Sequence, residues 1–228
     1  MTGYSGADNL EVMREAKNYN RFLVDLVLAQ ARAGDRIVDF GAGAGTFALP
    51  VSAAGYRVLC IEPDRELAAG LARRGLTVQD DLAAVADASI DYLYSLNVLE
   101  HIADDAAVVA LWHCKLAAGG RLLVYVPAFE LLFSSMDRKV GHHRRYRLGA
   151  LRKLLRAAGF DIGAGRYVDS LGAVAALVYK LVDNGSGEID VGMLKAFDRI
   201  VFPASRALDR VVGGVAGKNL YLVCTKPA

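Results

Sequence analysis

The sequence predicts an α/β fold with a mostly parallel sheet flanked by helices. Three observations predict it. Short apolar runs alternate with helical patterns through the first 127 residues, the signature of consecutive strand–helix units. The first run ends in a glycine-rich turn, "VDFGAGAGTF". The run "RLLVYVP" is apolar from Leu122 onward without alternation, as expected of a central strand buried on both faces.

Taken in order, Asn9 to Arg32 reads as a helix, with Leu10, Met13, Phe22, Leu23, Leu26 and Val27 near helical spacing and Asp8 or Asn9 as its cap. "RIVDF" is the first strand, Arg36 to Phe40, and a helix follows from Thr46 to Ala54. "RVLCIE", Arg57 to Glu62, is the second strand, followed by a helix from Pro63 to Arg74 and a short third strand, "LTVQ". "IDYLYSL", Ile90 to Leu96, is the fourth. The next helix runs from about Ala103 to Leu116 and is broken by Gly119-Gly120 ahead of the fifth strand, Arg121 to Pro127. A helix from Leu148 to Ala158, a sixth strand in "GFDIGAGRYVDS" and a last strand in "KNLYLVCTKP" complete the sheet. Neighbouring antiparallel strands need only a short turn. Residues 170–217, with two or more amphipathic helices interrupted at Pro203, are therefore an insertion that serves as a cap or partner surface. Its apolar residues Leu194, Phe197, Ile200, Val201 and Phe202 need a surface to cover and should pack against the sheet domain instead of forming a separate one.

A chain of 228 residues fits a single domain, 1–228, with room for a substantial core. No apolar run reaches the roughly 18 to 20 residues that span a bilayer, and the N-terminal segment carries no signal pattern. Three scattered cysteines, Cys60, Cys114 and Cys224, suit reduced, buried thiols in a cytoplasmic protein and give no zinc spacing.

The glycine turn narrows the ligand. Glycines at 41, 43 and 45 permit a tight turn and close approach of backbone to a ligand. Glu62 ends the second strand 21 residues after Gly41, where a carboxylate can take both hydroxyls of a ribose. Asp39 precedes the first glycine by two residues, and a carboxylate there opposes a pyrophosphate but suits a cation. A cationic ribonucleoside such as S-adenosylmethionine fits better than a dinucleotide.

"VDFGAGAGTF" resembles the first motif of class I S-adenosylmethionine-dependent methyltransferases, and "CIEPD" their acidic second-strand end. "DYLYSLNVLEHIADD" is similar to the fourth-strand stretch of bacterial members, and "KLAAGGRLLVYVP" to the loop before their fifth strand, with Ala118 in place of the usual proline. The resemblance covers about Tyr19 to Phe160 and implies a Rossmann-like, seven-stranded sheet. It implies that Gly41, Ala42 and Gly43 bring backbone to the methionyl part of the cofactor and that Asp39 meets its amino group. It also implies that Glu62 holds the ribose, that Pro63 lies against the adenine, and that Asp80 or Asp81 binds the adenine amino group. Asn97 would stand where the methionyl end meets the acceptor. Glu100 and His101 are adjacent and open the next helix, where neighbouring side chains face about 100° apart; a capping role is expected and no metal site.

From Arg138 to Arg156 there are eight Lys or Arg residues and no acid, in a chain with 27 basic and 25 acidic residues overall. "D…GHHRRY" resembles an element of a bacterial methyltransferase subgroup that acts in glycan, sugar and natural-product pathways. It singles out Asp137, His142, Arg144, Arg145 and Tyr146. A neutral histidine suits a general base for a hydroxyl acceptor, so His142 and Tyr146 are the candidate catalytic residues. Arginine forks suit anionic groups, so Arg144 and Arg145 are the candidate acceptor-binding residues. The expected acceptor is a small anionic molecule. A nucleic acid is disfavoured by a pI near 8.4 and the lack of an RNA-binding module. A lipid-linked acceptor with peripheral membrane contact, and a non-catalytic cofactor-binding protein, stay open, as do monomer and homodimer.

Overall fold

The first strand is short because its flanks demand it. Ile37–Phe40 (β1) is bounded by Gly34 and Asp35 before and by the glycine turn after. It pairs in parallel with Val58–Ile61 (β2) and with Ile90–Leu96 (β4), and β2 pairs in parallel with Thr77–Gln79 (β3). β4 pairs in parallel with Leu116–Pro127 (β5). The two remaining strands, Asp161–Val168 (β6) and Asn219–Thr225 (β7), enter antiparallel, with β7 inserted between β5 and β6. The spatial order is β3-β2-β1-β4-β5-β7-β6. This computed structural model describes residues 12–182, 185, 187 and 190–228.

The period of two along β5 builds two cores at once. Leu122, Val124 and Val126 face one core with Val38, Leu93, Trp112, Leu151 and Leu155. Leu123 and Tyr125 face the other with Leu23, Val27, Ile37, Val51, Tyr92 and Tyr94. Helices cover both faces: Lys17–Leu28 (α1), Ala48–Ala53 (α2) and Arg65–Arg73 (α3), then Asp105–Lys115 (α4), Ser135–Val140 (α5) and Leu148–Ala157 (α6). The chain between β6 and β7 forms Ser170–Val182 (α7), Val191–Ala196 (α8), a π turn at Phe197–Val201 and Phe202–Val212 (α9).

Several local expectations change. The predicted first helix is interrupted at Arg14–Ala16, and its expected caps, Asp8 and Asn9, lie outside the described residues. α1 instead begins where Asp198 supplies the missing cap: its carboxylate accepts from the backbone N–H groups of Asn18, at 2.9 Å, and Tyr19, at 2.8 Å. α4 ends at Lys115, before the glycine pair. Gly119 and Gly120 lie inside the irregular start of β5, with Gly119 at φ 72° and Gly120 too close to the Ala117 carbonyl to carry a side chain. Pro203 opens α9, in the first turn where its missing N–H costs nothing. Cys60 and Cys224 are buried as expected, but Cys114 lies exposed on the outer face of α4.

Candidate functional site

The carboxyl ends of the parallel strands and the facing ends of the antiparallel pair meet along one edge of the sheet, and the glycine turn, Glu62, Asp80, Asp81 and Asn97 each follow directly on a strand end there. At β1, Gly41 adopts φ 83°, and an added Cβ would lie 2.5 Å from Val98 Cγ2, so no other residue fits without displacement. Gly43, at φ 53°, has open space where a side chain would be, which leaves its backbone approachable. Ala42 is buried against the sheet. Glu62 reaches back from β2: its Oε2 accepts from Gly43 N at 2.7 Å and its Oε1 from Asp64 N at 3.0 Å. Asp64 caps α3, accepting from Glu66 N and Leu67 N. Pro63 between them is exposed.

Two buried carboxylates therefore stand close to one glycine turn. Asp39 is 2% exposed, and its Oδ2 has no hydrogen-bond partner among the described residues. Burial, reinforced by the negative charge of Glu62, pushes its pKa up to about 7. Glu62 is also raised, chiefly by burial. An unsatisfied buried acid is costly alone and is relieved by a cationic ligand. At the end of β3, Asp81 is occupied in capping a short turn, accepting from Ala83 N at 2.8 Å, while Asp80 is exposed and has no partner among the described residues. The set, a buried carboxylate with one unsatisfied oxygen beside approachable backbone and a second carboxylate one strand away, fits S-adenosylmethionine.

Further along the edge, Asn97 leaves β4 at φ 56°, a left-handed conformation that asparagine tolerates better than most residues. Its N–H donates to the Tyr125 carbonyl at 2.8 Å and its side-chain amide reaches the Tyr19 hydroxyl at 3.4 Å. Burial raises the Tyr19 pKa to about 12, which keeps it a neutral donor. Lys218, just before β7, is tied by its backbone to both neighbours: its N–H donates to the Asp169 carbonyl and its carbonyl accepts from Ala128. Its side chain is half-buried, and burial pulls the ammonium's pKa down against the opposing pull of the Asp169 carboxylate. Tyr19 and Lys218 were not legible in the sequence as site residues, since neither lies in a motif.

The basic segment after β5 folds inward on acids. Arg145 is buried and forked onto Asp137, with Nε to Oδ1 at 2.8 Å and Nη2 to Oδ2 at 3.0 Å, and its Nη1 donates to the Ala128 carbonyl. Arg144 reaches Asp105 at 2.9 Å and donates to the Ala103 carbonyl at 2.6 Å. The Tyr146 hydroxyl donates to the same Asp105 at 2.8 Å, and its pKa is pushed up by burial and by that carboxylate. His142 Nδ1 lies 2.7 Å from Asp137 Oδ1, and its Nε2 lies 3.8 Å from Glu100 Oε1. Burial alone would raise Asp137, but His142 and Arg145 hold it well below the usual carboxylate range. Arg144, Arg145 and Tyr146 are thus brought together by internal partners, while Arg138, His143, Arg147, Lys153 and Arg156 of this segment are left exposed.

Glu100 and His101 do not open α4. They form a separate single turn, Leu99–His101, because Asp104 starts the helix by capping Ala107 N. Glu100 is fully buried, with neither carboxylate oxygen hydrogen-bonded among the described residues, and burial raises its pKa to about 8.

Residues 13–164 match the family described as "Methyltransferase domain". The chain belongs to that family. Among solved structures, this methyltransferase fold is similar to a SAM-dependent methyltransferase from Thermotoga maritima (TM-score 0.64, 15% identity, 96% of this chain and 94% of that one). It is also similar to phosphoethanolamine N-methyltransferase 2 of Haemonchus contortus, solved with phosphomonomethylethanolamine and S-adenosylhomocysteine (TM-score 0.63, 16% identity, 92% of this chain and 53% of that one). A curated relative is the uncharacterized 37.1 kDa protein in transposon TN4556 of Streptomyces fradiae, 31% identical over 141 residues. That match spans 55% of this chain and only 39% of the relative. No described helix is long and apolar enough to cross a membrane.

Proposed function

We propose that the protein is an S-adenosylmethionine-dependent methyltransferase acting on a small anionic acceptor, such as a sugar, a glycan precursor or a natural-product intermediate. The observation that carries the cofactor is Asp39, a buried carboxylate without a partner for Oδ2, beside the glycine turn. The cofactor supplies an activated methyl on a sulfonium, so the protein's task is alignment of the acceptor and exclusion of water. Asp39 takes the ammonium of the methionyl part, Glu62 exchanges its bond to Gly43 N for the ribose hydroxyls, and Asp80, the uncommitted acid of its pair, takes the adenine amino group. Asn97 and Tyr19 close the methyl end of the cleft.

The anionic acceptor is supported by Lys218, a half-buried cation balanced through space by the Asp169 carboxylate, two strands along the same edge from Asn97. Arg145 acts through Asp137 on the position of His142, and Arg144 and Tyr146 secure the segment to Asp105. Calorimetry with S-adenosylmethionine, S-adenosylhomocysteine and NAD tests the cofactor: the first two bind and NAD does not. Glu62→Ala weakens their binding by about 1.5 to 3 kcal/mol, the range of charge-assisted hydrogen bonds. Preferential binding of NAD would overturn the assignment.

A second reading, a lipid-linked acceptor, is favoured by the exposed stripe Val174, Val178 and Leu181 on α7. Co-sedimentation with anionic phospholipid vesicles distinguishes it, since a soluble acceptor requires no vesicle binding.

A further inference from the structure

We propose that Glu100, His101 and His142 form a binding site for one first-row divalent transition-metal ion. One ligand atom from each of the three lies within 4.8 Å of the others. They come from two separated loops, and a backbone bond holds those loops in register: His143 N donates to the Glu100 carbonyl at 2.8 Å. The His101 and His142 rings meet edge to face, with centroids 4.6 Å apart. Bound metal at about 2.0 to 2.2 Å from each donor would draw these atoms nearer one another.

Glu100 is the independent observation. Its side chain is fully buried, and neither oxygen has a hydrogen-bond partner among the described residues. A carboxylate in that setting is explained by a cation it can coordinate. His142 is already set for the task. Its Nδ1 is bonded to Asp137 at 2.7 Å, which directs Nε2 toward Glu100, and Asp137 is itself gripped by Arg145 and by Ser134 N. A ligating imidazole whose other nitrogen donates to a carboxylate is the usual support of a metal centre. Two imidazoles and one carboxylate suit Zn²⁺, Fe²⁺, Mn²⁺ or Co²⁺ and leave positions open for an exogenous oxygen ligand. The site lies in the loops after β4 and β5, beside the acceptor end of the cleft, so the acceptor class that would use it carries adjacent oxygen donors. His142 then serves as a ligand in place of the base expected from the sequence.

The experiment uses the full chain, stripped with a chelator and titrated with Co²⁺ and then Zn²⁺ by calorimetry and visible absorption at pH 7.5. One equivalent binds the wild-type protein, with Co²⁺ ligand-field bands that Zn²⁺ displaces. Glu100→Gln and His142→Ala each weaken binding at least tenfold, and Asp137→Asn weakens it roughly 10- to 100-fold by loosening His142. S-adenosylhomocysteine affinity, measured on the same samples, reports folding and the cofactor site separately, so loss of one assignment does not entail loss of the other. No one-equivalent binding to the wild type overturns the site, and so does binding unchanged in folded Glu100→Gln and His142→Ala. Should the variants fail to fold, wild-type Co²⁺ spectra without ligand-field bands overturn it alone.

Discussion

Asp39 and Asp137 are both buried aspartates, and their surroundings push them in opposite directions. Asp137 is met by an imidazole and a guanidinium and is held ionised. Asp39 has a partnerless oxygen, and its pKa rises from 3.8 to about 7. A carboxylate whose folded pKa lies above its unfolded value favours folding most below pH 4, and that contribution is lost as the pH climbs through 7. Asp39→Asn should therefore melt above the wild type at pH 8, with the gap narrowing as the pH falls below 7 and closing only below pH 4, while binding of S-adenosylhomocysteine falls sharply. Parallel melting curves across that range would show that Asp39 carries no raised pKa. Cofactor binding near pH 6 should release a proton, because a cationic ligand favours ionised Asp39. Calorimetric heats should then vary with the ionisation enthalpy of the buffer.

The segment from α5 to α6 owes its order to a few buried ion pairs. Asp137 holds Arg145, His142 and Ser134 at once, so its removal strands a buried guanidinium. Breaking one partner of such a pair typically costs about 3 to 5 kcal/mol. Arg145→Ala should show a loss of that order in urea unfolding. Arg144→Ala should cost about 1 kcal/mol or less, because its pair with Asp105 is a third exposed on the arginine side. Equal losses for the two would mean that burial does not separate them.

Across the whole molecule, the chain between β6 and β7 supplies caps to elements far away in sequence. Asp198 caps α1 across 180 residues, and Asp209 accepts from the N–H groups of Asp169 and Ser170 at the start of α7. Phe202 packs edge to face on Tyr19, which itself reaches Asn97. Asp198→Ala should lower stability by about 0.5 to 2 kcal/mol, the usual cost of a lost cap. It should also weaken S-adenosylhomocysteine binding, because α1 carries Tyr19 to the cleft. Val211→Ala, on an 84% exposed side chain, should stay within about 0.5 kcal/mol. Unchanged stability and affinity in Asp198→Ala would separate this region from the site.

The part of the molecule readable from the chain is the part written in local chemistry. Apolar runs such as Leu122 to Val126 must bury both faces, the glycines at 41 and 43 must turn the chain, and Asp39 and Glu62 must emerge at strand ends. Those features depend on residues a few positions apart, so the alternating elements and the cofactor edge were legible. Which charges meet follows instead from how the loops pack in space. The run of eight basic residues reads as free positive charge, yet Arg144 is neutralised by Asp105 and Arg145 by a carboxylate folded back beneath it. Glu100 and His142 are 42 positions apart and become neighbours only when the loops after β4 and β5 pack together. Desolvation and ion pairing depend on spatial distance, and that distance is set by the sheet order, with β7 inserted between β5 and β6.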